Sequence, residues 1–151
     1  MVWLFVVVLF ADGLLAGLSV DKVIVQLPAR RRLGVVAYAD YARAADLGGG
    51  LALYPIVGIG AAVLTIIAFP VALFSGATGA TVVLLGIAGL LSLLHSVATG
   101  FAVPTMMRIG RSPNDEAVLT PLLSRFALAS GIRAILQVTT FVIVLIAVAL
   151  S

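Results

Sequence analysis

Three ionisable side chains stand deep inside apolar runs of this sequence: Asp12, His95 and Arg133. Such groups are costly in hydrocarbon and face a bundle interior when they occur there, so each is a candidate for function. Their types suit proton chemistry. A carboxylate or an imidazole can remove a proton from a carbon acid, and a guanidinium can stabilise the oxyanion that develops in a low-dielectric site. Their depths also agree. Asp12 lies nine residues before Asp21, His95 nine before Pro104, and Arg133 eight after Arg125. At about 1.5 Å per residue, all three lie about 12 to 14 Å below one face of a membrane. The plainer reading makes Asp12 and Arg133 a buried ion pair that fixes helix register, and His95 a hydrogen-bonded interior group.

The neighbours of these residues follow helical spacing. Ser92, His95, Ser96 and Thr99 form one stripe, and Arg133, Gln137 and Thr140 another. Asp12 continues through Ala16 and Ser19, while Tyr54, Gly58, Ala61 and Thr65 align on a fourth segment. Four such stripes can close around a hydrated pocket, with Ser92, Ser96, Thr99, Tyr54 and Gln137 as substrate contacts. Small and hydroxylated residues also pack membrane helices together, and Gly13-xxx-Gly17 fits that close-approach motif, which leaves a homo-oligomer open. Tyr38, Asp40 and Tyr41 either cap the cytoplasmic mouth of the pocket or anchor the chain at the interface.

The elements that must position these groups are set by composition. Of the 151 residues, 63% are hydrophobic and only 10% charged, with a mean hydropathy of +1.29. A water-soluble fold would have too little polar surface to cover its core, and disorder is excluded for the same reason. The expected class is all-α, a single integral membrane four-helix bundle over residues 1–151. Its spans are about 2–20, 51–74, 81–103 and 121–150, each near the 20 residues a crossing needs. The first has no basic segment before it and reads as a retained helix rather than a signal peptide.

Ser75 to Gly79 is a short uncharged turn, whereas the segments from Asp21 to Gly50 and from Pro104 to Thr120 hold seven of the nine Lys and Arg. Basic connections stay in the cytoplasm, so both termini are expected outside it, as in a bacterial inner membrane. Placed there, the cations explain the pI near 10.0 without nucleic acid. Within the first connection Pro28 reads as a stop and Gly48-Gly49-Gly50 as a break. Residues 33–47 between them read as a cytoplasmic interfacial helix, with Tyr38, Tyr41 and Ala45 on one side and Arg43 and Asp46 toward headgroups. Ser112-Pro113 and Thr120-Pro121 read as helix starts. Arg30-Arg31-Arg32 reads as headgroup contact and Trp3 as an aromatic-belt residue.

Several chemistries drop out. There is no cysteine and one histidine, so no closed metal site is expected, and no metal or other cofactor is assigned. There is no phosphate-binding glycine loop after a strand and no nucleophile elbow around Ser92 or Ser96.

Two tracts carry a family resemblance. One runs from Ala16-Gly17-Leu18-Ser19-Val20-Asp21 through Leu27-Pro28-Ala29-Arg30 and Tyr41-Ala42-Arg43-Ala44-Ala45-Asp46-Leu47 to Tyr54-Pro55. The other is Ser124-Arg125-Phe126, then Gly131-Ile132-Arg133-Ala134-Ile135-Leu136-Gln137. With the four-span layout they resemble the small DUF1772 membrane family, described as anthrone oxygenase-like. The family pattern has an aromatic residue and then an arginine in the last helix. Phe126 and Arg133 fill those places, with Phe where the pattern has Trp. The resemblance implies cofactor-independent oxidation of an anthrone to an anthraquinone by O₂. On that expectation His95 or Asp12 is the base, Arg133 with Gln137 the oxyanion partner, and Phe126 and Tyr41 join the substrate contacts.

Other classes fit the same residues. A proton-transfer isomerase or cyclase needs the same triad. A binder or carrier of a lipid or quinone-like molecule needs only the pocket, and a structural membrane subunit needs only the packing stripes. The partners expected on the first readings are the bilayer and an apolar small molecule.

Overall fold

A computed structural model describes residues 2–151, and it is helical almost throughout. Helix α1 (Val2–Asp21) passes through a wider, π-helical turn (Lys22–Gln26) into α2 (Leu27–Leu33). Pro28 therefore does not stop the segment. It sits in the first turn of α2, where its fixed φ suits the helix and the backbone register has just widened. The stop comes at Gly34, whose φ of 80° is open to glycine at no steric cost. Helix α3 (Val35–Ala44) comes next, then a second π-helical turn (Ala45–Gly49) in which Gly48 leaves helical geometry at φ −88° and ψ −111°. Three long helices complete the chain: α4 (Gly50–Phe74), α5 (Gly79–Arg111) and α6 (Glu116–Ala149).

The connection read from the sequence between Pro104 and Thr120 is thus mostly helix. α5 continues through Pro104, and Thr120-Pro121 lies inside α6 rather than starting it. The α6 cap is Asp115, whose carboxylate accepts from the Ala117 N–H at 2.8 Å. Ser112-Pro113 starts no helix; Ser112 instead ends α5, its N–H and hydroxyl both donating to Arg108 O. At 33 and 34 residues, α5 and α6 are each about 50 Å long, against about 30 Å of hydrocarbon. Among the described residues four helical stretches are long and apolar enough to cross a membrane: Trp3–Leu33, Val35–Phe74, Gly79–Arg111 and Glu116–Ala149.

The long helices pack in the cyclic order α1, α4, α5, α6, with α6 returning to α1. The outside of the bundle is apolar, with Trp3, Phe10, Ile56, Phe74 and Ile135 all exposed. A surface of that kind suits a hydrocarbon solvent and not water. Two apolar cores lie inside. One joins Phe5 and Val8 of α1, Ala68 and Ala72 of α4, Leu85 and Ala88 of α5, and Val144 and Ala147 of α6. At the other end Tyr38, Ala39 and Ala42 of α3 pack on Ala102, Met106 and Ile109 of α5 and Leu119, Leu123 and Phe126 of α6.

The buried face of α3 is thus Tyr38–Ala39–Ala42, and Tyr41 points away from it with 41% of its surface exposed. Arg43 does not face outward either. Its guanidinium donates to Ile109 O at 3.1 Å, Ser112 O at 2.8 Å, Asp40 at 2.7 Å and the Asn114 side chain. It thereby pins α3 to the C-terminal carbonyls of α5. α4 has no residue in this second core.

Candidate functional site

Between the two cores the bundle interior turns polar. Asp12, Thr65, Ser92, His95, Ser130, Gln137 and Thr140 are all buried there, each at most 5% exposed. Each of the four long helices α1, α4, α5 and α6 contributes through one face. On α6 the face is Phe126, Ser130, Arg133, Gln137 and Thr140, and on α1 it is Asp12, Ala16 and Ser19, with Lys22 following in the π-helical turn. The layer is divided by His95, which lines two cavities.

The larger cavity has a volume of about 370 Å³ and lies among α1, α4, α5 and α6. It brings together six of the residues picked out from the sequence: His95, Arg133, Ser96, Thr99, Tyr54 and Phe126. The smaller cavity holds only about 10 Å³, on the order of one water molecule, between Asp12, Ser92, His95, Gln137 and Thr140. Tyr41 lines neither cavity.

The ion pair Asp12–Arg133 is not formed. The Asp12 carboxylate accepts from the Thr65 hydroxyl, with its two oxygens 3.1 and 2.9 Å away, and Arg133 faces the larger cavity instead. Equal depth along the helices places the two groups in one layer. Rotation about the helix axes turns them to different neighbours. The ion pair that does form nearby is Lys22–Asp46, at 2.5 Å, with side-chain exposures of 13% and 6%. Lys22 also lies 5.8 Å from the ring centre of Tyr54 and 5.9 Å from that of Phe126, within cation–π range, and both its charge and Asp46 line the larger cavity. Asp46 is therefore an interior group and not a headgroup contact.

Sequence reasoning misses Lys22, Asp46 and Ser130 as site residues. Two of them carry a signal. Lys22 continues the Asp12–Ala16–Ser19 stripe by one more step of three, and Ser130 stands three residues before Arg133 on the same face.

His95 is held from three helices. Its Nε2 lies against the Gln137 side-chain amide of α6 and 3.2 Å from the Thr99 hydroxyl, which also lies 2.9 Å from His95 O. The Ser19 hydroxyl of α1 lies 2.9 Å from Leu15 O and touches the other end of the Gln137 amide. Gln137 is thus a positioning residue for His95.

Three buried polar atoms on the larger cavity's wall have no hydrogen-bond partner among the described residues: Ser130 Oγ, Arg133 Nε and Asp46 Oδ2. Native interiors rarely leave such groups unsatisfied, since each costs about 1–3 kcal/mol. These three atoms are themselves covered, and the residues that carry them all line the larger cavity. Chemically the wall offers a base, a cation and a hydroxyl around an otherwise apolar chamber of the size small-molecule sites have. No group of three or more His, Cys, Asp or Glu side chains able to hold a metal occurs among the described residues. Compared with protein-family models, curated proteins and solved structures, the chain matches none.

Proposed function

We propose that the chain is a small integral membrane enzyme that performs cofactor-independent proton abstraction and oxygenation on an apolar, enolisable aromatic molecule held in the larger cavity. The supporting observation is the meeting of His95 with unpartnered Arg133 and Ser130 on one cavity wall. In this reading His95 removes a proton from an activated CH₂, and the electrons move onto the neighbouring carbonyl oxygen. Arg133 and Ser130 hold that oxyanion in a dry site, where fixed donors are worth most. The enolate is electron-rich enough to give its electrons to O₂, forming a C–O bond and a peroxide anion that takes the proton back from His95. The resulting CH–OOH loses water to give a ketone. The balance is CH₂ + O₂ → C=O + H₂O, with the carbon centre oxidised and O₂ the sole oxidant. Asp12, facing Thr65 beyond His95, supports the layer and does not touch substrate.

The same reading places α3 along the cytoplasmic interface of a bacterial inner membrane, with both termini on the opposite side and Arg30, Arg31 and Arg32 among lipid headgroups. Anthrone is the probe for the reaction. Purified protein should consume one O₂ per ketone formed. Replacing His95 or Arg133 by Ala should each lower turnover by at least about a hundredfold while the protein stays folded in detergent. Full activity in both variants would sink the assignment.

A second reading, a carrier of a lipid or quinone-like molecule, is favoured by the exposed apolar residues on the cavity's rim. Mass spectrometry of copurifying small molecules separates the two. A carrier returns its ligand unchanged and consumes no O₂.

A further inference from the structure

The cavity has an unbalanced charge. Among the described residues on its wall the charged side chains are Lys22, Asp46 and Arg133. Lys22 and Asp46 neutralise each other at 2.5 Å. Arg133 has neither a carboxylate within salt-bridge distance nor a hydrogen-bond partner for Nε. Asp12 cannot serve, because it faces Thr65 across the His95–Gln137 wall and lines the other cavity. Asp46 attracts Arg133 from the same wall but is already bonded to Lys22, so the two cations share one carboxylate and one positive charge is left over. A guanidinium so held in a low-dielectric interior is costly, and an anion supplied from outside would bind with that cost relieved. Ser130 lies on the same wall, with its Oγ covered and without a partner among the described residues.

The cavity also has a side door. Among the described residues its exposed lining lies on two helices: Leu51, Pro55 and Ile59 on α4, and Ser96 and Val103 on α5. The α4 residues recur every four positions and the α5 pair is seven apart, so each set is a line along one helix face. The two lines border a seam. α4 contributes nothing to the core at this end of the bundle, which leaves the seam unfilled. Apart from Ser96 the rim is apolar, whereas the charged groups lie on the inner wall. Acyl chains suit the rim, and a headgroup suits the wall.

We propose that this cavity binds a single-chain amphiphile with an anionic oxygen headgroup, which enters sideways between α4 and α5. Its headgroup sits on Arg133 and Ser130, and its chain runs out along the seam toward the bilayer. The proposal rests on the second reading, a carrier of a lipid-like molecule in this cavity, and it adds the ligand's charge and route.

The test is binding without turnover, by native mass spectrometry of the full chain in nanodiscs of neutral lipid. The probes are palmitate, hexadecanol and hexadecylamine. Palmitate should bind at least tenfold tighter than the alcohol, and the amine should be weakest. Arg133→Gln should erase the preference for the acid without erasing binding of the alcohol. Gly58 lines the cavity on α4 with nothing within 4 Å of an added Cβ, so Gly58→Phe should fill the chamber and weaken all three probes. A palmitate analogue with a diazirine near its chain end should cross-link to residues 51–59 and 96–107. Equal binding of acid, alcohol and amine, or an acid preference that survives Arg133→Gln, overturns the proposal. So do cross-links confined to other faces. Anthrone turnover is scored separately. Turnover with no acid preference would spare the catalytic reading and remove this one, and acid binding with no turnover would do the reverse.

Discussion

From Ala61 to Ala72, α4 lies close against its neighbours, with Ala61, Thr65, Ala68 and Ala72 each at most 1% exposed. From Gly50 to Ile59 the same helix lines a cavity of about 370 Å³ and presents Leu51, Ile56 and Ile59 outward. The difference begins in the residues. In the first stretch small side chains recur at the spacing of one helix face, so backbones can approach and α1, α5 and α6 fill the remainder with Phe5, Leu85 and Val144. In the second stretch the inward positions are Gly50, Tyr54 and Gly58, and the helix starts from the bent Gly48 turn. There Gly50 allows the chain to pass Ala45 O, since an added Cβ would lie 2.7 Å from that oxygen. Close packing and hollow space are thus two uses of the same small residues. Which results depends on whether a neighbour can come in to fill the gap.

The largest effect that would test this contrast concerns charge. Lys22 and Asp46 are a paired couple on the hollow side, and Arg133 is a single cation a short way along the same wall. Lys22→Met leaves Asp46 buried without a partner and should cost about 3–5 kcal/mol. Arg133→Met strands no carboxylate, because Asp46, which attracts Arg133, keeps its bond to Lys22, and it should be neutral or stabilising. Thermal unfolding of both variants in the same detergent gives the comparison. An equal loss in both would mean that Arg133 has a protein anion after all.

Packing comes next. Ala68→Leu inserts a branched side chain where α4 is 0% exposed and should cost about 1–3 kcal/mol through overpacking. Gly58→Leu adds similar volume to the hollow half and should cost less than about 1 kcal/mol, because its Cβ meets no atom within 4 Å. If both variants were equally destabilised, the cavity would have to be closed in solution.

Much of this arrangement is legible in the sequence, and the failures have a common cause. Long apolar runs and the short Ser75–Gly79 turn are enough to place four helices, because their signal is continuous over some twenty residues. The polar faces of α5 and α6 emerge from spacing alone, and His95, Arg133 and Gln137 do lie at the centre of the interior layer. Depth is read well and direction poorly. Level alone groups Asp12 with Arg133, yet Asp12 turns to Thr65. Lys22 and Asp46 read as membrane-surface residues because charges near a helix end usually belong there. The two π-helical turns, Lys22–Gln26 and Ala45–Gly49, are the missing information. Each widens the helix at a charged residue and alters the facing of the residues beyond it; Gly48-Gly49-Gly50 marks a break in the second, but nothing in either turn announces the widening. Helix ends fail for a different reason: Pro28, Pro104 and Pro121 each resemble a boundary, and each sits inside helical structure.

The finest version of the comparison is between two buried hydroxyls. Thr65 is 0% exposed and donates to Asp12 as well as lying 2.9 Å from Ala61 O; Ser130 is 5% exposed and has no partner for Oγ among the described residues. Removing the first strands a carboxylate in the interior. Removing the second strands nothing. Thr65→Val keeps the side-chain shape and should cost about 1–3 kcal/mol, since Asp12 loses the donor that holds it. Ser130→Ala removes an already unsatisfied group and should leave stability unchanged or raise it by up to about 1–3 kcal/mol. The apo protein in detergent is the right sample, with unfolding midpoints compared at one pH. The second measurement is the one that discriminates, because a loss of more than about 1 kcal/mol for Ser130→Ala would show that the hydroxyl is already bonded within the folded chain. In that event the empty wall would be a packing surface, and Arg133 alone would have to hold whatever enters.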